Sequence, residues 1–266
     1  MKYIIINADD YGMTPAISKG IRKAFKEGIL TSTTAMATGL DIENALKEYK
    51  LSCKDMGLRV HLTVTSYDSM LASSRVASLI SQETGKFHSL SDLLIKAEAN
   101  EIDYDELYNE WKSQINYIGN ICNDIDHLDS HHYACYINSE FMQVMIELAC
   151  EFSLPVRYPV GPGINNNDNL EKSLNTMYAS GIKTTNHYFG QYTKSGGTLE
   201  SLLDIYENLQ EGYTEILTHC GFVDEMLRGL SSLTDSREVE LLNLINPDMI
   251  EKFTSNDVEL CKFSNI

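Results

Sequence analysis

Four things are missing from this chain: paired cysteines, linker-like runs, a membrane-length apolar stretch and an excess of positive charge. Each absence closes off a class. The six cysteines (Cys53, Cys122, Cys135, Cys150, Cys220, Cys261) contain no CxxC pair. Over 266 residues that scatter reads as reduced thiols, not a disulfide framework or a zinc ribbon. No Pro-rich, Ser-rich or charged linker divides the chain, so one domain spanning 1–266 is expected. Nothing approaches the ~18 consecutive apolar residues of a membrane span. The N-terminus enters its first strand without a basic region or a small-residue cleavage site, and a cytoplasmic protein with no membrane partner is expected. A net charge of −17 repels phosphate backbones and anionic lipid, which disfavours nucleic acid. The ligand is expected to be small and not strongly anionic. Dimers are common at this size, and a homodimer is one option on that ground alone.

What is present is an ordinary 43% of hydrophobic residues, arranged as alternating strand and helix signals. The apolar run opening KYIIINADDYG (2–12) reads as a buried strand that stops at two adjacent carboxylates. Asp9 and Asp10 repel each other and resist desolvation, so their position suggests a cation nearby. Thr14 and Pro15 then cap a helix that runs to Gly28. GILTSTTAMATG reads as a second strand, and Asp41 as the cap of a short helix after it. GLRVHLTVT (57–65) alternates, with Leu58, Val60, Leu62 and Val64 on one face and Arg59, His61 and Thr63 on a polar face. Residues 66–100 form an excursion with short helical pieces. Asp103 and Glu106 make a capping-box pattern before a helix whose apolar stripe includes Trp111.

The next strand, IDHLDSHH (125–132), is too polar to be explained by packing. Asn138 caps the following helix, LPVRYPVG reads as a short strand bearing Arg157, and GPGINNNDN as a loop. GIKTTNHYFG (181–190), a helix capped by Thr198, EILTHCG (215–221), a helix in TDSREVELLNLI and a closing strand in DVELCKF complete the chain. Seven or eight strands alternating with helices predict an α/β fold: a TIM-like (β/α) barrel, distorted or seven-stranded. In such a barrel Asp9, Asp10, His61, His131, Arg157 and His219 all lie at or near strand ends, at one mouth.

Each candidate has a plainer explanation. His61 alone is more often a hydrogen-bonded structural residue than a ligand. The histidine cluster HLDSHH favours coordination, with His131 at the strand end, His127 a packing or supporting residue, and Asp129 able to fix the tautomer of a ligand histidine. His132 reads as an exposed turn residue if the strand continues. Arg157 has the alternative of pairing with surface acids, and His187 is either a substrate contact or a polar strand residue.

INADDYG, TSTTAMATG, GLRVHLTVT, HLDSHH and EILTHCGFVD, in this order over nearly the whole chain, resemble the YdjC/ChbG-type carbohydrate deacetylases. The resemblance implies a (β/α) barrel-like fold, a divalent metal and removal of acetyl groups from N-acetylglucosamine-containing small oligosaccharides, with diacetylchitobiose as representative substrate. Carried over by motif, Asp10, His61 and His131 hold the metal and Asp9 is the catalytic base. His219 matches a late histidine of the family. Two departures stand out: Tyr133 and Cys135 where the family often has further histidines, and Cys220 where it has proline.

Amide hydrolysis requires an activated water, a polarised carbonyl and a proton for the leaving amine. Asp9 answers the first need, a metal on Asp10, His61 and His131 the second. His219 is the candidate to stabilise the tetrahedral intermediate or protonate the amine. Arg157 would orient Asp9 or lower its pKa, by analogy with metal-dependent polysaccharide deacetylases. Mixed nitrogen and oxygen ligands suit zinc, cobalt or nickel, whereas the family is commonly described with magnesium. Two alternatives stay open: a metal-dependent sugar-phosphate phosphoesterase, and a non-catalytic, metal-stabilised sugar-binding protein.

Overall fold

The computed structural model describes residues 1–123, 125–157, 168–190, 192–255 and 257–266. Strands β1 (Lys2–Tyr11), β2 (Ser32–Ala35), β3 (Gly57–Leu62), β4 (Ile125–Ser130), β5 (His187–Phe189), β6 (Gly212–Thr218) and β7 (Val258–Leu260) form one parallel sheet. Its order is β4-β3-β2-β1-β6-β5, with β7 also paired to β1. β1 is the hub because it is the longest strand and serves three neighbours. One edge pairs with β6 from Lys2 to Ala8; the other pairs first with β7 at Lys2–Ile4, then with β2 from Asn7 to Tyr11.

Between β4 and β5 the sheet continues through single hydrogen bonds. Leu128 N–H donates to Pro155 O (2.9 Å), Arg157 N–H to Leu128 O (3.0 Å), and Val156 N–H to Lys183 O (3.0 Å). The sheet thereby curls into the distorted, seven-stranded α/β barrel that the strand count predicts. Helices α1 (Pro15–Glu27), α2 (Ile42–Ser52), α3 (Leu90–Glu98), α4 (Tyr104–Ile121), α5 (Ser139–Phe152), α6 (Asp168–Ala179), α7 (Leu199–Glu207), α8 (Glu225–Leu230), α9 (Ser236–Leu244) and α10 (Pro247–Phe253) lie between the strands. None is long and apolar enough to cross a membrane.

Local signals placed most elements. Thr14 accepts from Ile17 N–H with Pro15 opening α1, and Asn138 and Thr198 cap α5 and α7 as expected. Trp111 is fully buried. The six cysteines form no disulfide.

Several details differ from expectation. Asp41 precedes α2 without a side-chain cap bond. Asp103 caps α4, but Glu106 bonds Ser78 instead of returning to the cap, so the box is one-sided. The 66–100 excursion does hold short helical pieces as expected, a 3-10 turn at Ser73–Arg75 and α3, and adds an antiparallel bridge between Ile80 and Phe87. Within LPVRYPVG only Val156 makes a bridge, to Leu128, and residues 158–161 lie outside those described. Most of the predicted GPGINNNDN loop also lies outside them, and its last two residues begin α6.

The polar face of β3 turns inward. Arg59 and His61 are buried, 0% and 2% exposed, as fully as the alternating aliphatic residues. Alternation in a barrel separates the helix-facing side from the lumen, and here the lumen is polar.

Candidate metal centre

The site is built where β1 breaks. Neighbouring residues on a regular strand point to opposite faces, yet both aspartates line one cavity. The reason is local: Asp10 has φ of 73°, in the left-handed region, and the β1–β2 register shifts between Ala8 and Tyr11. A non-glycine residue in that region is strained by roughly 1–3 kcal/mol, a cost typical of functional sites. The turn is held by Met13 N–H donating to Asp10 O (3.0 Å) and Gly12 N–H to Ser18 Oγ (3.2 Å).

Asp9 is locked to Arg157. Nη1 donates to Oδ2 at 3.0 Å and Nη2 to Oδ1 at 2.7 Å, a bidentate pair inside the barrel. Asn7 Nδ2 (2.6 Å) and Thr34 Oγ1 (3.0 Å) also donate to Oδ1. Burial opposes ionisation of Asp9, but Arg157 and His61 outweigh it and hold the carboxyl well below its ordinary range. Arg157 in turn lies 2.9 Å from Asp129 and 3.0 Å from Glu215, which Arg59 Nη1 also meets at 2.9 Å. Two arginines and three carboxylates thus neutralise most of one another's charge in the lumen.

Asp10 is arranged differently. Its Oδ2 accepts from Arg237 Nη2 at 2.7 Å, while Oδ1 is buried without a hydrogen-bond partner. That oxygen faces His131 Nδ1 at 3.3 Å and His61 Nε2 at 3.5 Å, and the two nitrogens are 3.2 Å apart. Donors bound to one ion at about 2.1 Å stand roughly 3.0–3.4 Å from each other in octahedral or tetrahedral geometry. The triad therefore fits a divalent cation, and the orphaned Oδ1 is the clearest sign of it. Asp129 Oδ1 accepts from His61 Nδ1 at 2.7 Å, fixing the tautomer that leaves Nε2 toward the triad. Asp9, His61 and Asp129 also cluster, but Arg157 already supplies the positive charge there. Burial opposes protonation of His61, but Asp129, Asp9 and Asp10 push it up to about 10, so proton and metal compete for Nε2.

His219 follows β6 into the same cavity, of about 340 Å³, together with Tyr133, Arg157 and Arg237. Its Nδ1 meets Thr193 Oγ1 at 2.9 Å. Burial pushes it down to about 4 against the pull of Asp10 and Asp9, so the resting ring is neutral. All six residues singled out by their strand ends meet here.

The other histidines separate. His132 lines the cavity with an exposed edge, its Nδ1 2.9 Å from Thr65 Oγ1 and its ring stacked on His131. It reaches this position because β4 ends at Ser130 and His132 and Tyr133 in the turn that follows both have φ of 55°. His127 is fully buried, stacked on Phe263 at 3.4 Å and paired with Asp126, and is not among the residues lining the cavity. His187 bonds Glu211 O, likewise away from the cavity.

Asn7, Thr34, Arg59, Glu215 and Arg237 were not anticipated. The first four carry a readable signal, polar or charged side chains in the middle of short buried strands. Arg237 carries none, because SREVE reads as a solvated helix face.

An α/β barrel with this donor triad at the C-terminal ends of its strands is one of the barrel proteins whose strand-end cavity can hold a cation. The chain belongs to the YdjC-like protein family, whose model matches residues 3–255. A carbohydrate deacetylase of Thermoanaerobacter pseudethanolicus is 32% identical over 269 residues, covering 99% of each chain. One from Enterococcus faecalis is 33% identical over 248 residues, 91% of this chain and 90% of that one. A crystal structure from Enterococcus faecalis V583, described as a proposed cellobiose-phosphate cleavage protein, superimposes with a TM-score of 0.86 at 29% identity. It covers 99% of this chain and 98% of that one.

Proposed function

We propose that this protein is a metal-dependent carbohydrate deacetylase. Its reaction is hydrolysis of the N-acetyl group of small N-acetylglucosamine-containing oligosaccharides of the diacetylchitobiose type, with release of acetate. The observation that carries this is the division of labour between two adjacent aspartates, one facing two imidazole nitrogens with an orphaned oxygen and one ionised beside it. Kinship to proteins named carbohydrate deacetylases over nearly the full chain supports the substrate class.

Asp10, His61 and His131 would hold the cation; their mixed donors suit zinc, cobalt or nickel, and kinship suggests magnesium. Bound there, it supplies Lewis acidity, polarising the acetyl carbonyl and acidifying water. Asp9 takes the proton from the attacking water; it is ionised throughout the neutral range, and Arg157 fixes its plane toward the cavity. Asp129 keeps His61 in the tautomer that coordination needs. His219, neutral at rest, takes up the proton that Asp9 removed from the water and delivers it to the amine nitrogen as the C–N bond breaks. The acetic acid and free amine so formed exchange the second proton, so the water's oxygen ends on acetate and both its hydrogens on the departing ammonium.

The sugar-phosphate phosphoesterase alternative would be served by a second cation cluster, and the second acidic group among the described residues shares His61 and is filled by Arg157. A non-catalytic binding protein has no use for a buried, ionised carboxylate beside the triad.

Acetate release from N-acetylglucosamine, its dimer, its trimer and their 6-phosphates tests the proposal. Asp9→Asn should lower kcat by roughly 10²–10⁴-fold, the usual contribution of a general base, with metal content unchanged. His61→Ala and His131→Ala should lose the metal itself. Full activity in Asp9→Asn, or phosphate release without acetate release, would sink the mechanism.

A further inference from the structure

Each of the two adjacent aspartates meets an arginine, but with a different number of prongs. Arg157 puts one nitrogen on each oxygen of Asp9, at 3.0 and 2.7 Å. Arg237, in the first turn of α9, puts one nitrogen on Asp10 Oδ2 at 2.7 Å, and Oδ1 receives no hydrogen bond. A guanidinium carries only donors and stays charged, so the sense of both pairs is fixed. No step of the proposed mechanism uses Arg237.

Arg237 is itself held from several sides. It is 1% exposed, its Nε donates to Leu233 O at 2.9 Å and its Nη1 to His219 O at 3.3 Å. Its backbone N–H donates to Thr234 O (2.8 Å), and its carbonyl accepts from Gly221 N–H (3.1 Å). Among the described residues Asp10 is its one ion-pair partner, whereas Arg157 is shared by Asp9, Asp129 and Glu215. Neutralising Asp10 needs one charge; the bonds to two neutral carbonyls on different segments fix where the third nitrogen stands. A fork locked in this way cannot follow the carboxylate if it rotates, so the arginine sets the plane of Asp10. The consequence falls on Oδ1. A cation on Oδ1, His61 Nε2 and His131 Nδ1 has three protein donors, the number that leaves a catalytic ion open positions. If Oδ2 bound as well, it would fill one of them, and the ion would share that oxygen with a guanidinium, two like charges in a buried site.

We propose that Arg237 is a positioning residue that restricts Asp10 to one metal-binding oxygen and so keeps a coordination position free for the attacking water or the acetyl carbonyl. The two-pronged Arg157 does the complementary job, holding both oxygens of Asp9 so that it stays off the ion and remains the base. The number of arginine prongs on each aspartate thus decides which one coordinates and through how many atoms. This rests on the reading of the site as the metal centre of a deacetylase, but the coordination itself can be measured without any sugar.

The first arm uses the unaltered protein, so it does not depend on any variant folding. A crystal structure of the zinc-loaded wild type should show Asp10 Oδ1 at about 2.1 Å from the ion and Oδ2 still on Arg237. In Arg237→Met the freed Oδ2 should join Oδ1 on the zinc. Cobalt-loaded protein gives the same readout in solution, because the visible absorption of cobalt weakens as its coordination number rises. Arg237→Met should absorb more weakly than wild type, and Arg237→Lys, which keeps a charged donor beside Oδ2, should restore the wild-type spectrum. In acetate release from the N-acetylglucosamine dimer, Arg237→Met should lower kcat by roughly 10–100-fold, with zinc affinity by calorimetry near wild type. Both oxygens of Asp10 on zinc in the wild type, or a single oxygen on zinc in Arg237→Met, overturns the proposal. A wild type that takes up neither zinc nor cobalt overturns the metal-centre reading instead, and a metal-loaded wild type that releases no acetate from any N-acetylated sugar overturns the deacetylase reading.

Discussion

Asp9 and Asp10 are the same residue type, and their neighbours alone make them different. Four hydrogen bonds, two of them from one guanidinium, surround Asp9. Arg237 takes one oxygen of Asp10 and leaves the other toward two imidazoles. Arg157 is accordingly more than a tuning group for Asp9, since Asp129 and Glu215 lean on it as well. Removing one partner of a buried ion cluster leaves uncompensated charge and costs about 3–5 kcal/mol. Arg157→Ala should destabilise by that amount in urea unfolding, and Arg157→Lys should recover only part of it because a lysine cannot form the two-pronged pair.

The elements around the mouth are set by close approach. Gly20 lies inside α1, where alanine would ordinarily be better by about 1 kcal/mol. Here an added Cβ would stand 2.6 Å from Gly221 Cα and Phe222 N, backbone atoms immediately beyond His219. The clash outweighs helix propensity, so Gly20→Ala should destabilise by roughly 1–3 kcal/mol, read as a fall in Tm. It should also lower kcat by displacing His219, while zinc or magnesium binding, measured by calorimetry, stays near wild type.

At the scale of the whole molecule, pH acts on the buried lumen. Asp9 and Asp10 have folded-state pKa values depressed below their ordinary 3.8. A depressed carboxylate contributes stability that is complete above its unfolded pKa and lost as pH falls toward the folded one. Tm should hold above about pH 5 and drop steeply below about pH 4. His61 has the opposite sign: raised to about 10, it stabilises the metal-free protein fully below its unfolded value near 6.5, with loss as pH rises through about 10. Thermal unfolding of chelated protein across pH measures both limbs, and a flat profile in acid would contradict the buried arrangement.

Much of this was legible in the chain because it is local. Helix caps at Thr14, Asn138 and Thr198, the apolar run of β1 and the strand-end histidines depend on residues a few positions apart, and those signals survive in one dimension. Six strand-end residues could be named for the same reason: in a parallel barrel, chain order and strand ends imply a common mouth. The break at Asp10 is local too: two adjacent aspartates can share one site only if the strand has turned by Asp10, Tyr11 and Gly12 mark such a turn, and Asp10 has φ of 73°. Arg59 and His61 could be placed on a polar face of β3, but alternation tells two faces apart without telling lumen from water, and their burial came from the closed barrel. Arg237 was invisible, because it reaches Asp10 across 227 positions of chain and only the folded barrel puts α9 against the end of β6. The sequence alone thus determined which groups could do chemistry. Tertiary structure decided how they divide it, because charge pairing, burial and tautomer depend on neighbours that the chain brings together only when it closes.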